Sequence, residues 1–336
     1  MQFFLQYIDR FRDLLQTEGW WFSIGLLLCL VLRVIVPKRA WSMDRFTAIA
    51  LALLGGACLP MCNFAVILPT ICMLSCGSSV STALTFLAAG VLLNPAGLIL
   101  SWAYMGPVMT ILYGMSALLT ALAVGLPAMK LLDGERQEIS CHKTSDITSE
   151  LRFCLMELGP KLALWILIGI LLEAMVLTAF PSAQMGALLL DPAGISAAEA
   201  VVMGLFHHVC IPDDLSLTAS LVASGLTPGK ALLFLLIGVG SNLPELSVLW
   251  GLAGKKTALW FAGISTACGV IFCMLAELLI TPHFVPKYSL TGAEQLAQLA
   301  NTLSVRTWMP ARIPCAVFLF LLGLYGLWKY SEHRKK

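Results

Sequence analysis

Charge is what this chain has least of. Of its 336 residues only 12% are Asp, Glu, Lys or Arg, while 59% are apolar. A soluble globular domain carries about 25% charged residues, so the composition excludes an ordinary soluble protein. The formal net charge of +2 is too small for a nucleic-acid footprint, and no nucleic-acid partner is expected. No G-x-x-x-x-G-K-[ST] loop occurs, which leaves no phosphate cradle for a nucleotide; no cofactor is expected either. The first residues lack a basic stretch and a small-residue cleavage site, so Trp20–Val36 reads as a retained first span rather than a removable signal. Eleven cysteines are scattered through apolar stretches, which is not the spacing of a disulfide framework.

What is present is hydrophobic length. A helix needs about 20 apolar residues to cross a bilayer. The blocks Trp20–Val36, Val80–Ala103, Met105–Met129, Leu162–Phe180, Lys230–Trp250, Ala258–Ile280 and Ile313–Trp328 approach or exceed that length. Two more, Phe46–Cys76 and Ala198–Ser224, are interrupted by proline and polar residues. The expected fold is an all-α integral membrane protein of about 8–10 membrane helices, some broken or re-entrant.

The chain repeats itself at an offset of 148 residues. Gly56 falls on Gly204, Cys62 on Cys210, Thr70 on Thr218, Gly77 on Gly225, Gly90 on Gly238, Asn94 on Asn242, Trp102 on Trp250 and Gly106 on Gly254. With the apolar matches this makes 14 identities in an ungapped window of 51 residues. Each copy reads Cys-x14-Gly-x16-Asn, and Pro95 and Pro244 follow the two asparagines. Cys, Asn, Trp and Gly are not apolar filler, so the match reflects a duplicated unit.

Basic residues set the expected orientation, because Lys and Arg concentrate in cytoplasmic loops. Lys38, Arg39 and Arg45 precede unit 1, and Lys130, Arg136, Lys143 and Arg152 flank or occupy the central loop. Pro181–Ala197, ahead of unit 2, has no Lys or Arg. Lys255, Lys256 and the terminal Arg334-Lys335-Lys336 fall inside again. Unit 1 then starts inside and unit 2 outside, which makes the two copies an inverted-topology repeat. The expected layout is an N-terminal span and turn (1–45), unit 1 (46–129), a central cytoplasmic loop (130–157) and a connecting span (158–181). Unit 2 (194–281), an external loop with an amphipathic helix (282–312) and a final span with a basic tail (313–336) follow. The C-terminus is expected in the cytoplasm and the N-terminus outside. Phe46–Cys76 is read as two half-helices meeting near Cys62.

Inverted repeats with broken helices are the architecture of secondary transporters, which place the substrate between the breaks. The residues there define the candidate site. Cys62 and Cys210 would approach across the pseudo-two-fold axis, and thiolates suit soft metals and trivalent metalloids; the alternative is that both are packing residues. Asn63, Asn94 and Asn242 sit at breaks, able to face substrate or to cap a helix. Asp213 and Asp214 are costly in an apolar stretch unless they meet a cavity, a cation or a proton, or lie at a shallow interface. His207 and His208 ligate metals or move protons, and Glu245, which has Gly97 as its counterpart, is a further proton-coupling candidate with Asp214. Glu173 and Glu277 lie within or near span ends. Arg33 is expected to snorkel to the interface. Cys58/Cys62 and Cys72/Cys76 repeat a Cys-x3-Cys spacing that puts thiols on one helix face, and Leu131–Glu157 reads as a solvated linker.

The stretches LPMCNFAVILP and CGSSVSTALTFLAAGVLLNP in unit 1, and VCIPDD and GLTPGKALLFLLIGVGSNLPEL in unit 2, resemble a predicted-permease family that includes the bacterial trivalent organoarsenical efflux permeases. The resemblance covers about residues 46–110 and 194–280. It implies a permease of the bacterial inner membrane, with Cys62 and Cys210 at the positions of family cysteines. Phe64 and Ala65 depart from the family's second Cys and its Gly. The expected function is efflux of a small thiophilic solute, a metalloid or soft metal, by alternating access around a midplane Cys/Asp/Asn site. A transmembrane thiol–disulfide relay with one cysteine per half is the alternative. The expected partners are that solute and the lipid bilayer; the sequence leaves the oligomeric state open.

Overall fold

A computed structural model describes residues 2–35, 44–133, 147–179, 226–279 and 309–333, with eight single or paired residues between 201 and 222. Among the described residues every element is helical. They are α1 (Gln2–Ile35), α2 (Arg45–Ala57), α3 (Asn63–Ser75), α4 (Val80–Leu92), α5 (Pro95–Leu131), α6 (Ile147–Phe153), α7 (Gly159–Ala179), α8 (Pro228–Gly240), α9 (Leu243–Val248), α10 (Lys255–Leu279) and α11 (Met309–His333). A π-helical turn, Cys154–Leu158, joins α6 to α7, and another, Leu249–Ala253, follows α9.

Among the described residues six helical segments are long and apolar enough to cross a membrane: Phe3–Ile35, Val80–Leu131, Ile147–Val176, Pro228–Ala253, Lys255–Leu278 and Pro310–Glu332. The protein is therefore an all-α, multi-pass membrane protein. Its apolar residues divide between two environments. Leu84, Leu87, Val91, Leu232, Leu235 and Val239 are buried in a core built around α4 and α8. Ile111, Met115, Leu119, Leu259, Ile271, Met274, Val317, Leu321 and Trp328 face outward, where a bilayer rather than water satisfies them.

The first span is longer than its apolar block. Helix α1 starts at Gln2 and runs 34 residues, about 51 Å at the helical rise. It lies parallel to α3. Cys62 meets Glu18, Gly25 packs on Ala65 and Leu68, Cys72 bonds to the Cys29 carbonyl, and Ser75 and Cys76 meet Arg33. That ladder places Glu18 half-way along α1, level with the start of α3.

The duplication reappears in the helices. α4 and α8 each hold 13 residues and begin and end 148 apart, after Ser79 and Thr227 respectively. Gly106, inside α5, has φ +83°, and Gly254, before α10, has φ +95°; both turns need a residue without Cβ. The part of α5 after Gly106 and α10 then cover equivalent positions. Ser78 N–H bonds the Met73 carbonyl at 3.0 Å and Leu226 N–H bonds the Leu221 carbonyl at 2.9 Å, a matching pair of helix-ending bonds. A Cβ on Gly56 would meet the Gly90 nitrogen at 2.8 Å, and one on Gly204 would meet the Gly238 nitrogen at 3.2 Å. Just after unit 1 Asp133 accepts from Ser81 N–H and Oγ, both at 2.8 Å, and in unit 2 Thr227 Oγ1 donates to Glu277. Each bond pins the start of a half-helix to the end of its long neighbour.

Candidate functional site

Three helix breaks converge. The first separates α2 from α3. Cys58 ends α2, and Cys62, with extended backbone (φ −69°, ψ 157°), precedes α3. The second separates α4 from α5. Asn94 caps α5, its Oδ1 accepting the Ala96 N–H at 2.9 Å, while Pro95 takes the first helical position, where no N–H is needed. The third separates α8 from α9. Asn242 Oδ1 accepts the Glu245 N–H at 3.1 Å, and its amide donates to the Gly238 carbonyl at 3.3 Å.

Side chains tie these breaks together. Asn94 Nδ2 donates to the Met61 carbonyl at 2.7 Å, joining the first break to the second. Asn63 Nδ2 donates to the Val239 carbonyl at 2.6 Å, joining the first to the third. Leu92 abuts Gly240, joining the second to the third. The asparagines thus occupy carbonyls that interrupted helices leave open. α2, α3, α4 and α8 hold 13 residues each, about 20 Å of helix, against a hydrocarbon core of about 30 Å. Each is shorter than that thickness, and their ends at the breaks meet inside the protein.

Buried acids lie at this convergence and beside it. Both carboxylate oxygens of Glu245 are buried with no hydrogen-bond partner among the described residues. Glu245 sits in the first turn of α9, which packs on α3 and α7. Glu173, on α7, is also buried. Glu18 is buried on α1, and the Cys62 thiol points to its Oε2 at 4.0 Å. Desolvating a carboxylate without a partner is expensive, so a group placed like Glu245 neutralises or takes a cation.

The structure brings Cys62, Asn63, Asn94, Asn242 and Glu245 to one region. Cys210, Asp213, Asp214, His207 and His208 lie outside the described residues, as do the Pro181–Ala197 segment and the amphipathic stretch Gly292–Leu303. Glu18 went unnoticed in the sequence because it precedes the apolar block and follows Asp9, Arg10, Arg12 and Asp13, which read as a solvated face.

Three expectations are corrected. Arg33 does not snorkel. It is fully buried, ion-paired with Glu150, bonded to Ser75 Oγ at 3.2 Å and Cys76 Sγ at 3.4 Å, and 4.3 Å from the Phe153 ring centre. The end of the central loop is accordingly not a solvated linker, since α6 begins at Ile147 and buries Glu150. Cys58 and Cys62 do not share a helix face. Cys58 is exposed at the end of α2, Cys62 is buried ahead of α3, and non-helical backbone separates them. Among the described residues no group of three or more Cys, His, Asp or Glu side chains has the geometry to hold a metal ion.

A bundle of membrane-crossing helices whose broken ends and buried acids meet inside the protein is the arrangement of a membrane transporter. The chain belongs to the family described as "Predicted permease", which matches it over residues 11–278. Neither a curated protein nor a solved structure matches it.

Proposed function

We propose that this permease exports a small thiophilic solute, a metalloid or soft metal, from the bacterial cytoplasm by alternating access at the convergence of the three breaks. The observation that carries the reading is the placement of Cys62. Its soft sulfur sits at the α2–α3 break, between Glu18 and the Asn63 side chain that reaches the α8 end. Backbone irregularity is tolerated at membrane depth where it lines a cavity, and this is where backbone, thiol and carboxylate coincide.

In this reading the two units are inverted about an axis in the membrane plane. Leu92 and Gly240 lie 148 apart and touch, as residues beside a two-fold axis do, and the basic loops give that axis its direction in the membrane plane. α2 and α3 enter and return on the cytoplasmic face, the N-terminus lies outside and the C-terminus inside, as the basic loops direct. Cys62 and Cys210 bind the solute, Asn63, Asn94 and Asn242 hold the unwound backbone around it, and Asp213 or Asp214 balances its charge. Glu245, Asp214, His207 and His208 exchange protons. A buried carboxylate without a described partner supports Glu245 in that role.

The test is survival of cells exposed to a panel of trivalent metalloids and soft metals. Wild type should protect against at least one toxicant, and Cys62→Ser, Cys210→Ser and Glu245→Gln should lose most of that protection at equal membrane abundance. If no toxicant separates wild type from empty vector, the reading fails. A reversible Cys62–Cys210 disulfide, with activity lost on reduction, would instead establish the thiol–disulfide relay.

A further inference from the structure

Helix α1 lies outside both repeat units, yet it delivers an acid to their junction. Glu18 is buried half-way along that helix, at the level where α3 begins. The ladder from Glu18–Cys62 to Arg33–Cys76 fixes this level, since four contacts in register hold α1 parallel to α3. Gly19, the next residue, packs directly on the Ala316 backbone of α11, with a Cβ there only 2.8 Å away. Phe22 is wedged against Phe318 at 6.4 Å between ring centres. Glu18 is thereby held where α1 packs closely on α11 and is presented to a residue at a helix break. Its Oε2 faces the Cys62 thiol at 4.0 Å.

We infer that Glu18 is the proton acceptor for the Cys62 thiol, so that capture of a soft electrophilic solute is coupled to protonation of α1. The inference rests on the proposed role of Cys62 as a solute ligand. A thiol binds soft centres as thiolate, and a buried thiol passes its proton most directly to a base beside it. The S–H proton passes to the Glu18 carboxylate, and the sulfur lone pair forms the bond to the solute centre. A hydroxide ligand leaves that centre with its bonding pair. On release a hydroxide returns to the centre, the sulfur–solute bond breaks towards sulfur, and Glu18 gives back the proton. No electrons change hands, and net charge is conserved in each half.

Other titratable groups stand on the elements packed against α1. They are Cys72 and Cys76 on α3, Glu150 and Arg152 on α6, Cys154 and Glu157 on the π-helical turn, Lys161 and Glu173 on α7, and Arg312, Cys315, Tyr325, Lys329, Tyr330, Glu332 and His333 on α11. Cys72, Cys76 and Glu150 belong to the Arg33 cluster at the far end of α3. Arg312 is one helical turn from Ala316 on the neighbouring helix.

The test measures alkylation of Cys62 by N-ethylmaleimide in full-length protein in vesicles, read residue by residue by mass spectrometry across pH 5–9. Wild type, Glu18→Gln and Glu18→Asp are compared, and melting temperature with the labelling of Cys58 and Cys315 reports folding. The expected result is a fall of about tenfold or more in the Cys62 rate in Glu18→Gln, with its pH profile moved to higher pH. Glu18→Asp should recover part of the rate. An unchanged rate and profile in folded Glu18→Gln, or a Cys62 that does not react in wild type, overturns the inference. A Glu18→Gln that does not fold leaves the decision to Glu18→Asp, whose profile must shift from the wild-type one. The outcome is separable from the toxicant panel. Protection lost in Cys62→Ser with an unmoved Glu18→Gln profile removes only the proton acceptor, while a moved profile without any protection removes only the export reading.

Discussion

Leu92 and Gly240 hold the same place in the two units, and they touch. A Cβ on Gly240 would come within 3.0 Å of Leu92 Cδ2. Each residue closes a 13-residue half-helix, so the contact joins the inner ends of α4 and α8 and leaves no room for a branched side chain. Asn94 and Asn242 follow two residues later and cap the next helices. The ends are thus close-packed on apolar atoms and capped on polar ones, and the Glu245 carboxylate stands beside them with no described partner.

Glu245 should show a trade between stability and transport. Glu245→Met removes a buried polar group with no described partner, and should raise folded stability by on the order of 1–3 kcal/mol while lowering flux at least tenfold. Thermal unfolding in detergent and solute uptake into inverted vesicles measure the two. A stable variant with wild-type flux would remove Glu245 from the mechanism.

The Arg33–Glu150 pair should behave as a buried ion pair. Removing one partner, as Arg33→Met or Glu150→Leu, strands a charge among apolar atoms and should cost about 3–5 kcal/mol. The double change Arg33→Met with Glu150→Leu should recover most of that loss, and a double-mutant cycle on melting temperature reads the difference. Losses that simply add would mean the pair is worth little.

Gly56 is predicted to be intolerant of any side chain. A Cβ there would lie 2.5 Å from the Phe86 carbonyl oxygen and 2.8 Å from the Gly90 nitrogen, both backbone atoms that cannot rotate away. Gly56→Ala should therefore push α2 off α4 and cost about 1–3 kcal/mol. Gly263, where a Cβ would meet nothing within 4 Å, is the control: Gly263→Ala should be neutral or stabilising by about 0.5–1 kcal/mol. Thermal unfolding of both variants in detergent reads the contrast.

Asn94 does two jobs that substitution can separate. Asn94→Asp keeps the oxygen that caps α5 but lacks the amide that donates to Met61. Asn94→Ala loses both, and should be less stable than Asn94→Asp by about 0.5–2 kcal/mol, the worth of a cap. Flux should fall in both variants, because the α2–α3 break loses its tether in each. Equal stability with full flux in Asn94→Asp would show that the tether is dispensable.

Much of this could be read along the chain. Scarce charge and long apolar blocks are local properties, and they sufficed for an all-helical membrane protein. The offset of 148 recurred as helix ends, positive-φ glycines and matching packing contacts because a duplicated sequence repeats its own caps, turns and close approaches. Asn94-Pro95 and Asn242-x-Pro244 marked two of the breaks for the same reason: a cap and a missing N–H act within one turn of helix.

Pairings between distant residues were not legible. Arg33 looked like an interfacial cation because it stands near the end of an apolar run, and its partner Glu150 lies 117 residues on. Glu18 looked like part of a charged surface because the residues before it are charged. Only the parallel packing of α1 on α3, set by side-chain shapes such as Gly25 against Ala65, carries it to Cys62. One-dimensional order determined which segments enter the lipid and where each one breaks. The three-dimensional contacts decided which acid meets which thiol, since burial and charge pairing depend on neighbours that the chain supplies from far away.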